Sequence, residues 1–191
     1  MTRVPAYTIS DTLTGDALEA FNRIKESRGH VVGVFSVLFA SPKVANLLGE
    51  LGAFMRFESS LPTKVREVTI CTALSECDGQ FEWGPHLKAA KEAGVSDTTA
   101  EAIAQRVDLI DVPEDERNII NFTREVIRNN SVSDKTYKLV SNVLDTKNIT
   151  ELTALIGYYT MVSCILNTFE VAAGENQPRL PKRDAVSEHG N

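Results

Sequence analysis

Apolar residues recur along most of the chain at intervals of three and four, which is the spacing of one face of an α-helix. In segment 15–29, Ala17, Leu18, Phe21 and Ile24 follow this spacing. No segment alternates apolar and polar residues around an Asn-Gly or Asp-Gly turn, the pattern typical of a β-hairpin. The pattern therefore predicts an all-α fold.

Capping signals and helix breakers divide the chain into consecutive predicted helices. Ser41-Pro42 resembles an N-cap followed by proline at the first helical position, and Gly94 suits a helix C-terminus. Thr98-x-x-Glu101 and Asn148-x-x-Glu151 are N-terminal signatures. The predicted helices cover residues 15–29, 30–40, 42–57, 62–76, 80–93, 98–107, 113–129, 133–144 and 148–171. The polar remainder, 177–191, is expected to be a mobile tail or an arm on a neighbouring subunit.

Composition and charge narrow the class of protein. A chain of 191 residues favours one domain with room for an extension, and 42% hydrophobic with 24% charged residues is ordinary for a globular protein. The formal net charge is −6, and neither sign forms a run of five. This argues against nucleic acid or an anionic membrane surface as the main partner.

The cysteines and the uncharged segments bear on location. Cys71, Cys77 and Cys164 are odd in number and match no zinc or disulfide spacing, so reduced thiols in a cytoplasmic protein are expected. The N-terminus lacks the apolar stretch of a signal peptide. Segment 152–169 carries no charge, but polar residues interrupt it, which favours a buried helix over a membrane span.

Two places along the chain could support acid/base chemistry. Glu67 follows Arg66 and begins an otherwise apolar stretch of the predicted helix 62–76, so its carboxylate is expected to be partly desolvated. Glu82 and His86 stand four apart and share a helix face, so the carboxylate can orient the imidazole or act beside it. Each pair could instead be a simple salt bridge or surface contact, and Pro85 would kink a helix that began much earlier.

These residues form part of a longer series that resembles a known family. The series is Leu61-Pro-x-Lys-x-Arg66-Glu67, then Phe81-Glu82-Trp83-x-x-His86, then Ala90-x-x-x-Gly94, and later Ile156-Gly-Tyr-Tyr159 with Asn167. In this order it resembles the carboxymuconolactone decarboxylase family over about residues 35–173. The resemblance implies an alkylhydroperoxidase D-like bundle of about eight helices, with an N-terminal extension at 1–34, the family domain at 35–176 and the tail at 177–191.

The resemblance also assigns roles to the site residues. It implies acid/base roles for Glu67 and His86, and we expect Glu82 to orient His86. Arg66 either holds a substrate carboxylate or pairs with a neighbouring acid. Further contacts to substrate are expected from Trp83, as pocket wall or subunit anchor, from Cys77 and from Tyr159, although the sequence leaves open which of Tyr158 and Tyr159 faces a cavity.

The alkylhydroperoxidase branch carries a Cys-x-x-Cys motif that this chain lacks. The matching positions are Gly79 and Glu82, and Phe81 stands where that branch has a histidine. Cys71 and Cys77, six apart on one helix, would point about 120° away from each other, which does not permit a disulfide. We expect them to be structural thiols.

The sequence therefore predicts a lyase or isomerase without metal or cofactor, acting by proton transfer on a small carboxylated or lactone-type substrate. The alternatives are a thiol-dependent peroxidase and a non-catalytic ligand-binding oligomer. A homo-oligomer, either a trimer or a hexamer formed by two trimers, is expected from the resemblance. It is also expected because segments 30–40 and 152–169 are apolar over more than one face.

Overall fold

The structure, a computed structural model, describes residues 2–182, and within this range the chain is helical with no β-strand. The helices are α1 Gly15–Arg28, α2 Pro42–Ala53, α3 Thr63–Glu76, α4 Gln80–Glu92, α5 Asp97–Gln105, α6 Glu114–Asn129, α7 Asp134–Ser141 and α8 Thr146–Thr168. A 3₁₀ turn, Gly33–Val37, precedes α2, and a π turn, Phe54–Glu58, extends it. The predicted all-α fold is confirmed.

Helix α3 forms the centre of the bundle and packs against α4, α5, α6 and α8. Every residue from 67 to 76 is buried, including polar ones such as Thr69, Thr72 and Ser75. The hydroxyls of Thr69 and Thr72 donate to backbone carbonyls one turn earlier, and that of Ser75 donates to the carbonyl of Ile103. A helix buried on all sides tolerates polar residues when they are bonded in this way.

Helix α8 is the longest helix and lies beside α3 and α6. It is the one helix of residues 2–182 that is long and apolar enough to cross a membrane, with a mean hydropathy of 1.4 over its best window. Of that window, 56% is buried inside the protein. Burial of this extent is typical of a core helix, and length and composition alone are weak grounds for a span.

The N-terminal extension shares the core of the rest of the chain. Phe21 and Ile24 of α1 belong to the same apolar cluster as the central helices, and α1 packs along α2. Ahead of α1, the backbone N–H of Tyr7 donates to the carbonyl of Ser36 at 2.8 Å, and Arg3 pairs with Glu170. Helix α1 is therefore held firmly beside the site-bearing helices.

The predicted helix at 30–40 is wrong. Only a five-residue 3₁₀ turn forms there, because Gly29 and Gly33 both adopt left-handed backbone angles, with φ of +79° and +59°. A Cβ at Gly33 would also lie 2.6 Å from the ring of Phe81. Residues 33–39 are buried in their own chain, so this segment offers no surface to a second subunit.

Two predicted helix starts are displaced. The cap of α5 is Ser96, which accepts from the N–H of Thr99, rather than Thr98. Helix α8 is capped by Asp145, which accepts from the N–H of Asn148 and lies three residues before the predicted start. In both cases a polar side chain slightly earlier in the chain satisfies the free N–H groups of the first turn.

The start of the predicted tail is also ordered against its own chain. Leu180 is buried, and its N–H donates to Oε1 of Gln80 at 3.0 Å, while Nε2 of Gln80 donates to the carbonyl of Pro178. Residues 177–182 are therefore neither a mobile tail nor an arm on a neighbour. Residues 183–191 of that prediction lie outside the described part of the chain.

Candidate functional site

Three helices bring one polar side chain each to the same buried place. Glu67 comes from α3, His86 from α4 and Tyr159 from α8. A connection of three residues, 77–79, turns the chain back so that α4 packs directly on α3. Side chains far apart in sequence thus meet in the interior of the bundle.

The three side chains form a continuous hydrogen-bonded chain. Oε2 of Glu67 lies 2.8 Å from Nδ1 of His86, and Nε2 of His86 lies 2.9 Å from the hydroxyl of Tyr159. All three residues are at most 9% exposed. Because a carboxylate can only accept, we assign the proton of the neutral imidazole to Nδ1, which leaves Nε2 to accept from the tyrosine hydroxyl.

The hydroxyl of Tyr159 is held in its protonated form. Burial is the main cause that raises its pKa well above 10, and the nearby charge of Glu82 adds to the effect. Its ring stands edge-on to that of His86, with centroids 5.0 Å apart. Tyr159 is therefore a fixed hydrogen-bond donor beside Nε2 of His86. Its contact with substrate stays a prediction.

Glu82 occupies a different place from the one expected. Its Oε2 lies 4.0 Å from Nε2 of His86, on the side of the ring away from Glu67. The hydrogen bond that orients the imidazole therefore comes from Glu67, and the orienting role predicted for Glu82 is wrong. Burial raises the pKa of Glu82, while the charges of His86, Arg56 and Arg28 oppose the rise. Pro85 does not end α4, although the helix begins five residues before it.

The remaining predicted contacts are spread around this cluster. Nε of Arg66 lies 3.4 Å from Oε1 of Glu67, a long hydrogen bond, so Arg66 pairs with the neighbouring acid. Trp83 is 2% exposed and belongs to the core of its own chain, which excludes the role of a subunit anchor. The substrate-binding roles of Arg66 and Trp83 stay predictions.

The three cysteines lie in different settings. Cys71 is buried, and burial together with the charge of Glu67 raises the pKa of its thiol, which keeps it unreactive. Cys77 is half-buried, with Sγ 3.8 Å from the hydroxyl oxygen of Thr160, and Cys164 is exposed. Within residues 2–182, no group of three or more His, Cys, Asp or Glu side chains could hold a metal ion.

Two arginines belong to the surroundings of the site, although no motif in the sequence predicts this. Arg28 is the last residue of α1, and Arg56 lies in the π turn after α2. Both act electrostatically on Glu82, and Arg56 also acts on Tyr159. Arg28 is more than 100 residues from Tyr159 in sequence, and a basic residue in the last turn of a helix is ordinarily explained by the helix dipole.

A wide cavity lies elsewhere in the described part of the chain. It has a volume of about 750 Å³, and its lining includes Glu76, Arg106, Arg128 and Pro181. None of its lining residues belongs to the Glu67–His86–Tyr159 cluster. The candidate site is thus defined by buried, bonded chemistry rather than by an open cavity.

Comparisons with known proteins agree on the fold. Residues 42–125 match the model of the carboxymuconolactone decarboxylase family. An uncharacterized peroxidase-related protein from Ralstonia eutropha JMP134, described as an alkylhydroperoxidase AhpD core, is similar in structure over 91% of this chain and 93% of its own, with a TM-score of 0.72 and 16% identity. A protein of unknown function from Agrobacterium tumefaciens, assigned provisionally to AhpD antioxidant defence, covers 72% of this chain and 94% of its own, with a TM-score of 0.57 and 15% identity. No protein of curated function matches.

Proposed function

We propose that the chain, whose residues 42–125 match the carboxymuconolactone decarboxylase family, is a lyase or isomerase that transfers a proton to or from a small carboxylated or lactone-type substrate. The reaction uses protein side chains alone. His86 is the acid/base group, Glu67 fixes its tautomer, and Tyr159 and Glu82 flank the atom that exchanges the proton.

The observation that carries this proposal is the hydrogen-bonded chain through His86. A general acid needs a group that gains and loses a proton near neutral pH and a partner that stabilises its charged form. Glu67, 2.8 Å from Nδ1, is such a partner. The opposite nitrogen faces Tyr159 and Glu82, so the exchangeable proton is directed toward these two side chains.

In a decarboxylation at this site, a proton from His86 replaces the carbon dioxide that leaves. The bond between the substrate carbon and its carboxylate breaks, carbon dioxide leaves, and the electron pair remains on the substrate as an enolate. The imidazolium form of His86 donates its Nε2 proton to that carbon and becomes neutral, and water then returns the proton. In this proposal the Tyr159 hydroxyl donates a hydrogen bond to the enolate oxygen.

A thiol-dependent peroxidase is the alternative, because the solved structure from Ralstonia eutropha is described as peroxidase-related. Such chemistry needs a reactive thiol, and Cys71 is buried while Cys77 has no cysteine three residues away. We therefore expect Cys71→Ala and Cys77→Ser to retain activity. Dithiol-dependent peroxide reduction that disappears in Cys77→Ser would favour the peroxidase over the lyase.

The proposal is tested by offering a panel of small lactone acids and oxo acids to the purified protein. Release of carbon dioxide and changes in ultraviolet absorbance report turnover, and reactions run in D₂O report where the proton goes. We expect one deuterium on the product carbon, and little turnover by His86→Ala. His30→Ala is the matched control, since His30 is exposed and lies outside the site. Binding of an acid without any turnover would favour the non-catalytic alternative.

A further inference from the structure

Arg28 and Tyr158 converge on the backbone of α2 at Gly52. A Cβ on Gly52 would lie 2.2 Å from the hydroxyl of Tyr158 and 2.8 Å from Nη2 of Arg28. Arg28 and Tyr158 also interact electrostatically, and the ring of Tyr158 lies 5.3 Å from that of Tyr159. The absence of a side chain at Gly52 thus lets a guanidinium group approach the inner end of the candidate site.

The bonding of Arg28 is incomplete. Its Nη2 donates to the carbonyl of Gly49 at 3.1 Å, and its guanidinium carbon lies 4.5 Å from the centre of the Phe35 ring. Its Nε is buried and has no hydrogen-bond partner among residues 2–182. A buried donor without an acceptor is costly, and a ligand oxygen would remove that cost.

The positive charge of Arg28 also lies near a second cation. Arg56 is a second cation close enough to disfavour the charged form of Arg28, in addition to burial. Among the described residues, neither arginine is within ion-pair distance of a carboxylate. The acid that acts on both is Glu82, and burial favours its neutral form. An anion placed between the two arginines would relieve their repulsion.

We propose that Arg28 and Arg56 bind a carboxylate that the substrate retains, and that this contact presents the adjoining carbon to His86. The inference rests on the proposed function and narrows its substrate to an acid with a second reactive group. The carboxylate at the arginines is not the one that leaves, because paired guanidinium groups stabilise the anion and so oppose its conversion to neutral carbon dioxide. The N-terminal extension thereby contributes a specificity residue to the family domain.

Binding of succinate, with neutral succinamide as its uncharged counterpart, tests the proposal without any turnover. Trp83 is the single tryptophan and lies next to Glu82, so its fluorescence reports binding, with calorimetry as confirmation. We expect saturable binding of succinate and at least tenfold weaker binding of succinamide. Arg28→Met should weaken succinate binding about 10- to 100-fold, with partial recovery in Arg28→Lys.

The control is Arg23→Met, which removes an exposed arginine from the same helix and should bind succinate like the wild type. Arg56→Met tests the same site at an exposed position, so it carries the test if Arg28→Met fails to fold. Unchanged succinate affinity in folded Arg28→Met, or in Arg56→Met, would overturn the proposal, and so would equal affinity for succinamide.

The two proposals fail in different ways. His86→Ala should bind succinate normally, because the imidazole is not part of the arginine pair. If succinate binds as expected but no acid is turned over, the carboxylate site stands and the lyase does not. If His86→Ala abolishes turnover while Arg28→Met binds succinate normally, the lyase stands and the carboxylate site does not.

Discussion

Helix α3 carries two buried glutamates with opposite surroundings, Glu67 near its beginning and Glu76 at its end. Glu76 is clamped by permanent cations: Nε and Nη2 of Arg128 lie 2.8 and 2.6 Å from its two oxygens, and Nε of Arg124 lies 3.2 Å away. Glu67 has its short bond to the imidazole of His86, and the arginine beside it is 3.4 Å away.

This difference distinguishes Glu76, which holds helices together, from Glu67, which is bonded to the candidate acid/base group His86. A carboxylate in a fork of arginines has a fixed geometry, so it can hold helices together. A carboxylate bonded to a histidine belongs to a pair whose proton can move. The same helix thus anchors α6 at one end and, in the proposed function, supports proton transfer at the other.

The largest expected effect is on catalysis at Glu67 and its partner. His86→Ala should lower turnover about 10²- to 10⁴-fold, the usual contribution of a general acid/base, and Glu67→Gln should lower it less because the amide oxygen can still accept from Nδ1. Steady-state rates with an accepted acid substrate measure both. Wild-type rates in His86→Ala would contradict the assignment.

The second effect is on stability, at the other end of α3. Glu76→Gln should lower the free energy of unfolding by about 2–4 kcal/mol, because it leaves the buried guanidinium of Arg124 without its counter-charge. The half-exposed Arg128 can turn to solvent, so the loss falls below that of a fully buried pair. Urea unfolding measures the change, and turnover should be unaffected.

Glu67→Gln is the matched comparison for this experiment. It should lower the free energy of unfolding by only about 1 kcal/mol while it reduces turnover, the reverse of the pattern at Glu76. If both variants lost stability and activity equally, the distinction between the two glutamates would be wrong.

The helical fold could be largely predicted from the sequence because its signals are local. Gly94 and Ser133 mark helix ends by backbone and side-chain properties that depend on a few neighbouring residues. The apolar content of segment 30–40 predicts a helix. A 3₁₀ turn forms instead, because Gly29 and Gly33 adopt left-handed backbone angles. Apolar content predicts burial, and burial is what the structure shows there.

The site could be predicted only in part. Glu67 and His86 were identified through the resemblance, but which of the two acids orients the imidazole depends on how α3 and α4 pack. The contacts of Tyr159 with His86, 73 residues apart, and of Arg28 with Tyr158 depend on the assembled bundle. Spacing within one helix therefore predicts that Glu82 orients His86, because Glu82 is the nearer of the two acids to His86 in sequence.

The third effect is a pH dependence at Glu82. Burial raises its pKa in the folded state, so the folded chain holds this proton more tightly than the unfolded chain does. The free energy of unfolding therefore falls as the pH rises from the ordinary value of 4.5 to the raised one. Glu82→Gln removes this penalty, so the variant should be stabilised relative to the wild type at about pH 8 and lose that advantage near pH 4.5.

Urea unfolding at both pH values measures this difference. Glu92→Gln, an exposed change on the same helix, should show no such dependence. A relative stability of Glu82→Gln that stays constant with pH would mean that the Glu82 carboxyl is not held in its neutral form.

The smallest effect on the stability of the single chain is expected from changes on the outer face of α8. The two sides of this helix differ in their surroundings. One side holds Tyr159 against His86, and the other exposes residues without any charge, namely Thr153, Ala154, Gly157, Met161 and Cys164. We expect this face to join copies of the chain into a trimer or hexamer, since an uncharged exposed face is typical of an interface. Light scattering behind a sizing column should give a multiple of 21.0 kDa.

Gly157→Arg should dissociate this oligomer while changing the free energy of unfolding of the chain by less than about 0.5 kcal/mol, because nothing lies within 4 Å of a Cβ at that position. Ser141→Arg, at an exposed position on α7, is the matched control and should leave the oligomer intact. A wild-type mass of 21.0 kDa at micromolar concentration would contradict the prediction. An oligomer that survives Gly157→Arg would place the interface on another face, and the uncharged side of α8 would then need a different explanation.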